Sequence, residues 1–110
     1  MNELLKNIEE FLQSGEDNLK KERFNAAVSD FFKAIVILRD FMIYKEIKIL
    51  PKNHKERFSL LEKYFDKIYE NVSALFKIYI ESYNLRLGKE DANKIKSYAY
   101  ELKNITTNKK

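Results

Sequence analysis

Along almost the whole chain, apolar residues recur every three or four positions, the spacing of helices with a buried face. Leu4, Ile8, Phe11, Leu12 and Leu19 form the first such stripe, and Gly15 falls on it. They predict a helix over residues 3–22, entered from Asn2 as a capping residue. Gly15 either admits a second helix at close range or divides this one. Its propensity cost of about 1 kcal/mol does not by itself force a break. The next stretch, Phe24 to Ile49, closed by Pro51, is apolar on nearly every side. One face carries Phe24, Ala27, Val28, Phe31, Ile35, Leu38, Met42 and Ile49. A second stripe of Val36, Ile43, Ile47 and Leu50 runs on the opposite side. A helix of this kind lies at the centre of a bundle or an oligomer. Its two stripes are covered either by the chain's own helices or by a second subunit.

After Pro51, Asn53 is placed to cap a third helix from His54, which carries Phe58, Leu61, Tyr64, Phe65 and Ile68. A further turn is expected within Asp66 to Asn71, although the unbroken period also allows helices three and four to run together. The fourth helix buries Val72, Leu75, Phe76, Tyr79 and Tyr83, with Ala74, Ile78 and Leu85 on another face. Gly88 reads as its C-terminal stop and Asp91 as the cap of a fifth helix carrying Ile95, Tyr98, Ala99 and Leu102. The pattern therefore predicts an all-α fold, an up-and-down bundle of four or five helices with a long buried second helix. It forms one domain over residues 1–105, followed by a polar tail, 106–110.

Composition narrows the classes. With 45% hydrophobic and 14% aromatic residues, 110 positions are enough for one core and too few for two. There is no Cys, which excludes disulfides, thiolate metal sites and a Cys nucleophile. No zinc spacing, glycine loop or carboxylate cluster is present, so no metal or cofactor is expected. No apolar run approaches the roughly 20 residues that cross a bilayer. Nothing resembles a signal peptide, so a cytoplasmic location is expected. The net charge of +4 permits nucleic-acid contact without requiring it.

Two stretches carry a family resemblance. Asp17-Asn18-Leu19 followed by Arg23-Phe24-Asn25-Ala26-Ala27-Val28-Ser29-Asp30-Phe31-Phe32-Lys33-Ala34 resembles the opening of HEPN domains. Pro51 and Asn53-His54, leading into Phe58 and Leu61, resemble the start of that family's third helix, and Tyr83 suits the end of its fourth. The likeness spans about Asp17 to Asn104. It implies a bundle that commonly dimerises, working beside a nucleotidyltransferase or as a toxin-antitoxin component. Some relatives are metal-independent ribonucleases with an Arg placed four to six residues before a His. Here the only His is His54, and the positions where that Arg would sit read Ile47, Lys48 and Ile49. No His follows Arg86 either. The nuclease activity is not carried over.

The candidate surfaces follow from charge and stripe. Lys45, Lys48, Lys52, His54, Lys55 and Arg57 form a candidate anion or nucleic-acid patch around Pro51. Val36, Ile43, Ile47, Leu50, Ala74, Ile78 and Leu85 form the candidate dimer interface. Arg39 and Asp40 interrupt the apolar helix and point to different sides, so each needs a partner from elsewhere. Tyr79, Tyr83 and Tyr98 are expected in the core and Tyr100 outside it. The primary reading is a non-catalytic, homodimeric HEPN-like interaction module. RNA binding, or a ribonuclease with an altered site near His54, is the alternative. A tetratricopeptide-like peptide-binding scaffold is the third, although no second copy of the Phe24 to Ala34 pattern occurs. If the second stripe is an interface, Ile43→Glu or Ile47→Glu yields monomer or aggregate in light scattering.

Overall fold

The computed structural model describes residues 2–108, with side chains as far as Thr106. These residues form five helices: α1 (Asn2–Lys20), α2 (Phe24–Ile47), α3 (His54–Tyr64), α4 (Asp66–Glu81) and α5 (Lys89–Asn108). The fold is the expected all-α bundle. α2 packs against each of the other four helices. Its buried residues include Phe31, Ile35 and Leu38 from one sequence stripe and Ile43 from the other, with Phe32 between. Covering both sides removes each of these large side chains from water, at about 1.5–3 kcal/mol apiece.

The contacts fix the direction of each helix. Gly15 of α1 lies against Phe31, near the start of α2, so the two run antiparallel. Phe76 and Tyr79 of α4 meet Phe32, and Ser82 lies against Asn25, again antiparallel. α5 starts beside Asn25 and carries Ile105 alongside Met42, parallel to α2. α3 also advances in step with α2. His54 lies beside Phe32, Arg57 bonds Asp40, and Phe65 lies beside Met42. The segment 48–53 must therefore double back, and it does so around Pro51, which is buried.

The helix ends refine the expectations. α1 starts at Asn2 and stops at Lys20. The N–H groups of Arg23 and Glu22 bond the carbonyls of Asn18 and Leu19, and Glu22 takes a left-handed φ of 59°. α2 stops at Ile47 on Lys48, φ 60°, which leaves Ile49 and Leu50 outside it. Asn53 caps α3 as expected: its Oδ1 accepts from the Glu56 N–H at 2.9 Å, and the Glu56 carboxylate accepts from the Lys52 N–H. α3 and α4 are separated only by Phe65, whose φ/ψ of −139°/59° bends the chain one residue before the expected region. Gly88 does not end α4, which stops at Glu81. It instead precedes α5, donating its N–H to Asp91, which sits in the first turn rather than at the cap. Residues 106–108 belong to α5, and Thr106 is buried. This shortens the expected tail, whose last two residues lie outside the described ones.

Gly15 does not break α1. A Cβ built there would meet ring carbons of Phe31 at 2.7–2.9 Å, and Phe31 is fully buried. The stripe continues through glycine because α2 approaches at that point. Gly15→Ala gains about 1 kcal/mol of helix propensity. The fully buried ring must shift against its packed neighbours to make room, and overpacking of this kind costs about 1–3 kcal/mol. The expected outcome is a net loss of stability in urea denaturation.

Candidate functional site

An open-sided cleft of about 270 Å³ lies where four helices meet. α1 contributes Phe11. α2 contributes Phe32, Lys33, Val36 and Ile37 over two successive turns. α3 brings His54 and Arg57 from its first turn, and α4 brings Tyr79. The floor is aromatic and already packed. Phe32 stacks on Tyr79 with centroids 4.7 Å apart and planes at 12°, and Phe76 lies 5.8 Å from Phe32. Phe76 also contacts His54 and Phe58. At the outer end, the Tyr79 and Tyr83 hydroxyls share a hydrogen bond of 2.8 Å, which helps push Tyr79 up to about 12. The Lys33 ammonium lies over the Phe11 ring.

Beside the cleft lies an unbalanced charge cluster. Arg57 grips Asp40 with both prongs, Nε to Oδ1 at 2.6 Å and Nη2 to Oδ2 at 2.8 Å. Both side chains are mostly covered, at 11% and 14% exposure. Arg39 points the other way, as its position on α2 requires, and is fully buried. Its Nε, Nη1 and Nη2 have no hydrogen-bond partner among the described residues, and its guanidinium sits over Phe58 at 5.1 Å. Burial first, and then repulsion from Arg57, lowers its pKa to about 9, against partial relief from Asp40 and Tyr98. It remains a cation at neutral pH. His54 is held below its ordinary value by partial burial, then by Arg57 and Arg39. It is therefore neutral at pH 7, with Arg57 Nη1 3.4 Å from its Nδ1.

The sequence-expected patch divides. His54 and Arg57 line the cleft, but the fork of Arg57 is filled by Asp40. Lys45 lines a separate groove of about 130 Å³ with Met42, Phe65, Ile68, Ile105 and the buried Thr106. Lys48, Lys52 and Lys55 are exposed. Lys48 lies over the Tyr44 ring. The expected interface also divides. Ile43 is fully buried in the chain's own core and presents nothing to a partner. Ile47 and Ile78 are half-buried, and Val36 lines the cleft. Only Leu50, Ala74 and Leu85 are exposed. Two tyrosines exchange places relative to expectation. Tyr83 is 70% exposed, whereas Tyr100 is half-buried and donates to Glu16, which also accepts from Lys96 and so ties α1 to α5. Phe11, Lys33, Ile37 and Tyr79 were not singled out as site residues. The only signal was the i, i+4 pairing of Phe32 with Val36 and of Lys33 with Ile37.

Among the described residues, no group of three or more His, Asp or Glu could hold a metal ion, and no helix is long and apolar enough to cross a membrane. No family model, curated protein or solved structure matches the chain.

The charge cluster separates two kinds of burial. Removing the carboxylate in Asp40→Ala leaves two neighbouring guanidiniums without a counter-charge, and a loss of about 3 kcal/mol is expected in chemical denaturation. Arg39→Met keeps the packing on Phe58 while removing an unpartnered cation. It is expected to raise stability by about 1 kcal/mol despite the lost cation–π contact. A destabilised Arg39→Met would show that the guanidinium has a partner.

Proposed function

We propose that this chain is a non-catalytic, HEPN-like interaction module that acts as a homodimer. The observation that carries the reading is the end of α4 and the connector to α5. There Ile80, Tyr83 and Leu85 are 44%, 70% and 53% exposed. Apolar side chains on a loose loop would have to be ordered on binding. These are ordered already, because Asn25 clamps the connector with three hydrogen bonds. Its Nδ2 donates to the Ser82 and Leu85 carbonyls at 2.8 and 2.6 Å, and its Oδ1 accepts from the Leu87 N–H at 2.9 Å. Pre-organised display lowers the entropy cost of association. The HEPN likeness adds the expectation of dimerisation.

The reading stays non-catalytic because His54, the one candidate base, faces a guanidinium and a ring rather than an orienting carboxylate. A nucleotidyltransferase or toxin-antitoxin partner is the other occupant that the family likeness suggests for the same surface.

Sedimentation velocity across the micromolar range tests this. The native chain is expected to be dimeric. Leu85→Glu is expected to be monomeric with an unchanged helical spectrum, because an exposed carboxylate is harmless to the fold and costly in an apolar contact. Asn25→Ala is expected to weaken the dimer without touching it directly. A native monomer at every concentration overturns the homodimer.

A further inference from the structure

We propose that the cleft between α1, α2, α3 and α4 is a docking site for a partner-protein segment that presents one large apolar side chain flanked by carboxylates. This rests on reading the chain as an interaction module, but not on its dimerisation. The apolar half of the site is Phe11, Val36 and Ile37, all half-buried and lining one open-sided depression. At about 270 Å³, the cleft suits a single anchoring side chain better than a ligand enclosed on all sides.

The charge half comes from an imbalance. No carboxylate lines the cleft, whereas the cations Lys33 and Arg57 do. Asp40 neutralises Arg57, which leaves Lys33 at the rim and the buried Arg39, near enough to oppose protonation of the cleft's His54. Arg39 is fully buried and has no counter-ion of its own among the described residues, so solvent screens its field weakly. The cleft is therefore electropositive beside an apolar floor, and the complementary occupant is acidic beside an apolar anchor.

The same chemistry argues against a nucleotide or RNA strand. Base stacking needs a free ring face, but Phe32 is 1% exposed and stacked on Tyr79. A phosphate needs convergent free donors, but the Nε and Nη2 of Arg57 are taken by Asp40. One rim ammonium in a diffuse positive field matches a carboxylate.

The test is a titration of methyl-labelled protein followed by NMR at Val36 and Ile37. The probe is a blocked peptide with one phenylalanine between two aspartates. It is matched by the same peptide with lysines for aspartates, and by a short single-stranded oligouridylate. The expected result is saturable shifts at both methyl groups with the acidic peptide and binding about tenfold weaker with the basic one. Lys33→Glu is expected to abolish the preference while the core methyl groups of Ile35 and Leu38 keep their positions. Repeating the titration on Leu85→Glu gives the same shifts if the cleft acts independently of the dimer surface. The proposal is overturned by no shift with the acidic peptide, by equal binding of the basic peptide, or by tighter binding of the oligouridylate. Concentration-dependent shifts of Val36 and Ile37 that the acidic peptide does not displace would assign the cleft to a second copy and also overturn it.

Discussion

A helix that is apolar on every side has to be covered on every side, and the rest of this structure depends on that constraint. α2 presents Phe31, Ile35 and Leu38 in one direction and Phe32 and Ile43 in others. α1 and α4, antiparallel to α2, and α5, parallel to it, cover part of that surface. The remainder is covered because the chain doubles back at the buried Pro51 and lays α3 parallel to α2. That topological cost, a reversal through 48–53 for only eleven helical residues, has a consequence beyond packing. It delivers His54, Arg57 and Phe58 to the middle of α2.

What α3 delivers there is electrostatic as well as apolar. Asp40 would otherwise be a lone carboxylate at the edge of the core, and the fork of Arg57 satisfies both its oxygens. Arg39, one residue earlier, is turned into the core, where the face of Phe58 and the nearby charge of Asp40 favour its guanidinium but no hydrogen-bond partner meets it among the described residues. Two cations and one anion in a low-dielectric setting leave a net positive field. Partial burial and then this field lower the pKa of His54, and the same field is what the acidic occupant proposed for the neighbouring cleft would meet. Packing, ion pairing and the proposed docking chemistry thus share one origin in the return of α3 along α2.

The opposite kind of surface is organised by polar side chains. Asn25 clamps the α4–α5 connector, Asp30 accepts from Ser14 and Asn18 to hold α1 on α2, and Glu16 accepts from Tyr100 and Lys96 to hold α1 on α5. Each is a short side chain from a helix end or flank bonded across to another element. Such bonds contribute modestly one by one. Their effect here is to make the exposed apolar end of α4 a defined shape rather than a fluctuating one.

The sequence by itself determined the all-α class, the central place of the second helix and the Asn53 cap. Each of these depends on spacing along one helix or on chemistry within a few residues. The choice at Gly15 between a break and a close approach was made by α2. The loop between α4 and α5 was misread from Gly88, because Asn25 holds that loop from 57 or more positions away and no local signal records it. Which apolar stripe stays open was equally hidden. Ile43 and Ile47 lie on one stripe, yet Ile43 is sealed in the core and Ile47 is half-covered. The packing of the other helices on α2 decides that, not periodicity. The pairing of Asp40 with Arg57, the orphaned state of Arg39 and the cleft itself are products of three and four helices meeting. They are tertiary facts because a side chain's charge is written in the sequence, while its neighbours, its burial and its unmet hydrogen bonds are not.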